Sequence, residues 1–580
     1  HHRGEMDQLQ RELREYQGTS VIVYEQTCAA EKRRRRKKGA LEDPAKRLFI
    51  NAAVCEGCGD CSVKSNCLSV LPKQTELGRK RQIDQSACNK DYSCASGFCP
   101  SFVTVLGGRL KKPSGGLGDV TARFDPLPEP QLPALERPWN TVVTGVGGTG
   151  VLTITALVAM AAHIEGKGCA TMNQTGLAQK FGAVVSHVRV SENQEDIKAV
   201  RIPAGEADLL LGCDLVVTTT YEAMGKVARG RTHAVVNEAE VPTAAFVLDP
   251  DARFPTTSMK EKISAEVGEE GAYFIDATAV ATALLGDSIA GNLFLLGFAW
   301  QQGLVPVSAA ALESAIALNG VAVEFNRQAF LWGRRLAHQP EKVLQVAGLD
   351  REPAAAPGLD EVIADRERRL VAYQNEAYAQ SYRDTVARIR RADPAPEAGD
   401  SLTMAVARNL YKLMACKDEY EVARLYTDGE FQRQLEKQFE GDFELRFNLA
   451  PPLFSKRDSQ TGHLLKREFG PWMAKAFTLL ARLHFLRGTV LDVFGYTAER
   501  RRERADLADY RALLRQLIDH LDEHNYAIAT ELASLPARLR GFGHVKDRNR
   551  ELLVERRETL MGQLRGERTA PVPVAIVEVS

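Results

Sequence analysis

Apolar residues recur along this chain with several rhythms, and the changes of rhythm divide it. From Met6 to Tyr16 they follow a helical period, and SVIVY at 20–24 reads as an apolar strand followed by the polar loop QTCAAEKRRRRKKG. Between about residues 49 and 112 the periodicity fades, which leaves a segment that would build a poor core unaided. KPSGGLGDV at 112–120 and DPLPEPQLPALERP at 125–138 then end regular structure on both sides. From Trp139 short apolar strands alternate with helices: TVVTGV, a long apolar helix after Gly150, AVVSHVRV, DLVVTT, HAVVNE and YFIDA. Such alternation predicts a Rossmann-like, mainly parallel sheet covered by helices. After the linker pattern VAGLDREPAAAPGLD, residues 361–565 are helical in period, with FELRFNLA near 443–450 the main strand signal. The expected fold class is α/β, with the end of an α/β domain at 1–48, a cysteine segment at 49–125, an α/β domain at 138–345 and an α-rich domain at 361–570.

A chain of 580 residues exceeds what one core organises. The 75 basic and 75 acidic side chains balance, leaving no net field to draw nucleic acid or a membrane surface. The basic run from Lys32 to Lys38 reads as a solvated or subunit-facing loop. No apolar run approaches the roughly 18–20 residues of a bilayer span, and the polar start is unlike a signal peptide, so the expected location is the cytoplasm. The chain opens within a helical pattern without an initiator methionine, as a fragment would.

Seven of the eleven cysteines fall in one short region: Cys55, Cys58, Cys61, Cys67, Cys88, Cys94 and Cys99. In a reducing compartment such crowding points to metal ligation rather than disulfides. Cys55, Cys58 and Cys61 stand at two-residue gaps, the spacing that lets one short loop direct three sulfurs at three irons. Cys67 follows after five residues and lacks the proline that accompanies a fourth cysteine in two-cluster ferredoxins, whereas Cys99 precedes Pro100. Cys55, Cys58, Cys61 and Cys99 are therefore expected to hold one [4Fe–4S] cluster. Cys67, Cys88 and Cys94 remain for a second, which would need another kind of ligand. Structural zinc in a non-catalytic scaffold stays open as an alternative.

Gly145, Gly147 and Gly150 have G-x-G-x-x-G spacing between a strand and a helix, where a tight turn lets an anion approach a helix N-terminus. The acidic residue expected about 20 positions on in nicotinamide enzymes is absent from CATMNQTG, and Glu165 lies earlier, in a helix end. Phosphate binding or subunit packing fits this turn better than a dinucleotide-dependent oxidoreductase. Gln179, Lys180, His187 and Arg189 surround a predicted strand; Lys180 and Arg189 are candidates for a phosphate or an adjoining domain. His187 reads as a hydrogen-bonded sheet histidine, and Asn237 as a strand-end residue where ligands or turns are both at home.

VCEGCGDCSVKSNC with GRKRQIDQSACNKDYSCASGFCPSFVTV, GVGGTGVLTITALVAMAAHIEGKG and NQTGLAQKFGAVVSHVRVS together resemble the long, single-chain indolepyruvate ferredoxin oxidoreductases. The first pair resembles that family's ferredoxin-like iron–sulfur region and the others its gamma domain. QTCAAEKRRRRKKG is similar to the end of its thiamine-binding domain, and RGFGHVK at 540–546 to its helical tail. The resemblance implies that a 2-oxoacid, an arylpyruvate such as indolepyruvate, reacts with coenzyme A as co-substrate to give acyl-CoA and carbon dioxide, with electrons passing to ferredoxin. It also implies a homodimer. Thiamine diphosphate and magnesium would be held by upstream domains, because no Gly-Asp-Gly with a downstream Asn occurs here; Gly286-Asp287-Ser288 is the nearest string, in the wrong domain.

Overall fold

The computed structural model describes residues 1–2, 5–111, 124–175, 182–241, 244–350, 357–452, 455–459 and 461–565. Two compact units emerge: residues 1–45 with 89–91, and residues 46–88 with those from 92 onward.

In the first unit, helix α1 (Met6–Arg14) buries no residue. SVIVY does not form the expected strand: Val21 and Val23 are 77% and 88% exposed. A strand needs a hydrogen-bonding neighbour, and the described residues of this unit provide none. Conversely, the expected loop at 29–37 is a helix, α2 (Ala29–Lys37), in which Glu31 pairs with Arg34 and Arg35 at 2.7 and 3.1 Å. Long unbranched cations are good helix formers, and such one-turn pairs add to that tendency.

The second unit begins with the cysteine segment: β1 (Lys46–Ile50), α3 (Asp60–Ser65), the hairpin β2 (Val70–Lys73) and β3 (Lys80–Ile83), then β4 (Phe102–Leu106) and β5 (Arg109–Leu110). β1 pairs antiparallel with β4 in a register that sets Ile50 opposite Phe102. The chain leaving β1 and the chain entering β4 are thereby held side by side, which brings the two cysteine loops together.

The α/β domain contains β6 (Trp139–Val146), α4 (Val151–Ile164), β7 (Gly168–Thr175), β8 (Ala183–Ser191), β9 (Leu209–Gly212), β10 (His233–Asn237) and β11 (Ala272–Ile275). Its sheet runs β11-β10-β9-β6-β8-β7; the first four strands are parallel, and β8 is antiparallel to both its neighbours. The antiparallel edge follows from chain length, since residues 176–182 are too few for a crossover of roughly a dozen residues. DLVVTT is not a strand. Asp214 instead caps a short helix, Leu215–Thr218, by accepting from the Val217 N–H, and the strand precedes it as LLLG. One face of the sheet packs on α4 and the helices Gly291–Gln301 and Val323–His338; the other packs on Thr256–Val267.

Beyond residue 358 the chain is mostly helical, with Leu359–Tyr373, Leu402–Met414, Ala498–His520 and Tyr526–Ser534 enclosing a separate core. Within this region β12 (Phe439–Glu440) pairs with β5, while β13 (Glu444–Leu449) joins β4 and also pairs with β14 (Arg467–Phe469). The cysteine segment and the α-rich region therefore share a sheet and an aromatic core that includes Phe49, Val103, Tyr426, Phe447 and Phe477.

Candidate functional site

Cys55, Cys58, Cys61 and Cys99 line one small cavity together with Ile50, Phe98 and Phe102. Three of them come from the loop after β1 and the start of α3, the fourth from the loop entering β4. Two glycines make that approach feasible. At Gly57, with φ of 70°, a Cβ would lie 2.1 Å from the Arg79 carbonyl oxygen; at Gly97 it would lie 2.8 Å from the Cys61 Cα. The buried Asp60 carboxylate ties the loops together by accepting from the Phe98 N–H at 2.7 Å.

Local donors already point at the sulfurs: the Gly57 N–H lies 3.3 Å from Cys55 Sγ, and Ser101 Oγ lies 3.1 Å from Cys99 Sγ. Burial, then Cys99, Cys55 and Cys61, push the Cys58 thiol well up, and burial with Cys99 and Cys55 does the same for Cys61. Mutual opposition of this kind means that four thiolates would stand in one poorly solvated space, which demands a positive counterpart. Two cations adjoin it. Lys466 donates to the Ala95 and Gly97 carbonyls at 2.7 Å each, and the charge on Cys99 and Cys61 opposes the lowering that burial imposes on it. Arg81, 1% exposed, stacks on Phe246 with its Nε unpartnered and interacts with Cys61, Cys55 and Cys58.

Cys67, Cys88 and Cys94 pack in the same apolar cluster as Cys55 and Cys61 but are not among the residues lining the cavity. None of the eleven cysteines, all of them described, is in a disulfide. Among the described residues, no three His, Cys, Asp or Glu side chains converge as ligands of a single metal ion.

The glycine turn is built differently. A Cβ on Gly145 would lie 2.7 Å from Val151 Cγ2 and 2.8 Å from Cys213 Cβ, so this glycine serves the contact between strand and helix. Gly147 donates to the Gly182 carbonyl at 2.8 Å, and Gly150, with φ of 104°, starts α4. The buried Asp214 carboxylate, which reading the sequence did not single out, accepts from the Val146 N–H at 2.7 Å and occupies the end of β6. Burial raises its pKa, against backbone donors. Glu165 is held by Lys167 and the Ser308 N–H.

The other candidates in this domain also face inward. Arg189 donates to Asn140 Oδ1 at 2.9 Å and to the Ala199 carbonyl at 2.7 Å. His187 is fully buried; its Nδ1 accepts from the Ile202 N–H at 3.3 Å, and burial, then Lys226 and Arg201, lower it to about 4. Asn237 Nδ2 donates to the Cys213 carbonyl and Thr278 Oγ1. Gln179 and Lys180 lie outside the described residues.

With these geometries in place, similarity to known proteins becomes informative. The family model for pyruvate ferredoxin/flavodoxin oxidoreductase matches residues 140–336, the span of the α/β domain. Over this domain the chain is similar to that family. A second model, a family of unknown function (DUF6537), matches residues 359–559, in the α-rich region. The chain is 27% identical over 206 residues to indolepyruvate oxidoreductase subunit IorB of Thermococcus kodakarensis, an alignment covering 35% of this chain and 98% of that one. It is 28% identical over 205 residues to the subunit of the same name from Pyrococcus horikoshii, again covering 35% and 98%. Among solved structures, pyruvate oxidoreductase subunit PORC from Thermotoga maritima aligns with 18% identity over 34% of this chain and 97% of that one, with a TM-score of 0.25. The matched domain thus accounts for about a third of the chain, and the cysteine cavity lies outside it.

Proposed function

We propose that this chain is the electron-accepting part of a 2-oxoacid:ferredoxin oxidoreductase, in which Cys55, Cys58, Cys61 and Cys99 hold a [4Fe–4S] cluster. One observation carries the reading: four thiols from two loops line a single small cavity. When bound, such a cluster accepts and passes on single electrons. This chain's residues would hold it by thiolate ligation, donate to its sulfurs from the Gly57 N–H, and offset its negative charge with Lys466 and Arg81. Cys67, Cys88 and Cys94 stand next to that site and are candidates for a second cluster.

The oxidoreductase domain supports a 2-oxoacid reaction, and the relatives' names favour indolepyruvate or another arylpyruvate as substrate. Coenzyme A as acyl acceptor, ferredoxin as electron acceptor and a homodimer complete the reading, with thiamine diphosphate and magnesium contributed by upstream domains. Gly145 serves strand–helix packing and Arg189 is engaged inside the fold, so neither is assigned a coenzyme A contact in this scheme. The test is anaerobic reconstitution with iron and sulfide. Broad visible absorption, a reducible paramagnetic signal and about four irons per chain, or about eight with a second cluster, are expected; stoichiometric zinc without colour would refute the reading. Supplying the thiamine-binding domains should then give indolepyruvate-dependent ferredoxin reduction.

A further inference from the structure

A cavity of about 820 Å³ opens between the cysteine segment and the α-rich region, large enough for a nucleotide-sized molecule. Lys80, Lys412, Lys417 and Arg540 gather in its wall. Two of these have carboxylate partners: Lys417 pairs with Glu56 and Arg540 with Asp251, both at 2.6 Å. Lys80 is 7% exposed, and its ammonium makes no hydrogen bond or ion pair with any described residue. Lys412 donates to the Pro536 and Ala537 carbonyls alone, at 2.8 Å each. Elsewhere in the wall Glu76 and Asp365 pair with Arg366 and Arg369, and Glu421 with Arg424, while Asp400 and Asp428 are exposed to solvent.

Lys80, Lys412 and Lys417 share one nearby carboxylate, Glu56, so positive charge is in excess in a largely buried place, and a bound anion would relieve it. An arylpyruvate carries a single carboxylate, too little charge for these cations and too small for the volume. We propose that this cavity binds a diphosphate ester of the nucleotide class, its diphosphate between Lys80 and Lys412. Arg408, exposed on the rim and without a carboxylate partner, extends the same positive surface outward.

Calorimetric titration of the full chain with ADP, and separately with inorganic pyrophosphate, tests this. ADP should bind at one site, pyrophosphate should bind more weakly and compete, and both should weaken as salt rises. Lys80→Met and Lys412→Met should each weaken ADP at least tenfold. Arg408→Gln, at an exposed position that leaves folding untouched, should weaken it about threefold. Lys342→Met, at an exposed position outside the cavity lining, should leave it unchanged. Failure of wild type to bind either probe, or undiminished ADP binding in Arg408→Gln together with whichever lysine variants remain folded, would overturn the proposal.

Discussion

At the cysteine cavity four thiols line one small space in which burial and neighbouring cysteines oppose ionisation of Cys58, Cys61 and Cys99, whereas in the α/β domain Arg189, His187 and Asn237 are already engaged within the fold. Both regions carry a recognisable spacing of special residues. In the first, the spacing collects reactive atoms that the fold leaves facing a void. In the second, it removes side chains so that a helix can sit against a strand, and Arg189, His187 and Asn237 bind the domain to itself. The difference lies in what surrounds the polar atoms: Arg189 and Asn237 are hydrogen-bonded within the fold, whereas the four thiols share the lining of one cavity.

The largest effect that would test this contrast is at Gly145. Gly145→Val places a branched side chain where even a Cβ would lie 2.7 Å from Val151, and should destabilise the oxidoreductase domain by about 3 kcal/mol or more in denaturant unfolding. Gly147→Val, whose Cβ would lie 3.1 Å from the Gly182 carbonyl oxygen, should cost less. A folded, fully stable Gly145→Val protein would break the distinction. Next is Arg189→Met, which leaves the Asn140 amide oxygen and the Ala199 carbonyl without this donor and should cost about 2 kcal/mol. Coenzyme A affinity, measured directly by titration, should be unchanged, whereas a phosphate-binding Arg189 would lower it.

The smallest effect is a pH dependence. His187 is held at about 4 in the folded domain, below its ordinary value near 6.5, so the unfolded chain takes up the proton first. The associated stability is present above pH 6.5 and is lost as pH falls toward 4, by about 1 kcal/mol per unit. In His187→Gln that slope should shrink, which paired unfolding curves at pH 7 and pH 5 would reveal; an unaltered slope would remove the buried, neutral histidine from the picture.

Much of this was legible because local patterns report local structure. The strands TVVTGV, AVVSHVRV and HAVVNE, the helical character beyond residue 358 and the strand in FELRFNLA all occur where apolar periodicity indicates. The pairing of Cys99 with the early triple was legible from Cys99-Pro100. SVIVY misled because apolar content does not create a pairing partner, and DLVVTT because Asp214 is a better helix cap than strand residue. Lys466 and Asp214 escaped notice for another reason. Each is an ordinary residue that acquires significance only when strands distant in sequence are registered side by side.

The cysteine cavity is tested most directly by iron content and electron paramagnetic resonance of anaerobically reconstituted wild type, Cys58→Ser and Cys416→Ser. Cys58 faces the cavity, and its replacement substitutes a harder, far less acidic ligand; Cys416 lies after the helix Leu402–Met414 with its thiol on the Leu413 carbonyl, outside the cavity lining. Cys58→Ser should lose most of its iron and its reduced-state signal, while Cys416→Ser should retain both. Iron contents equal to wild type in both variants would contradict the assignment of these four cysteines.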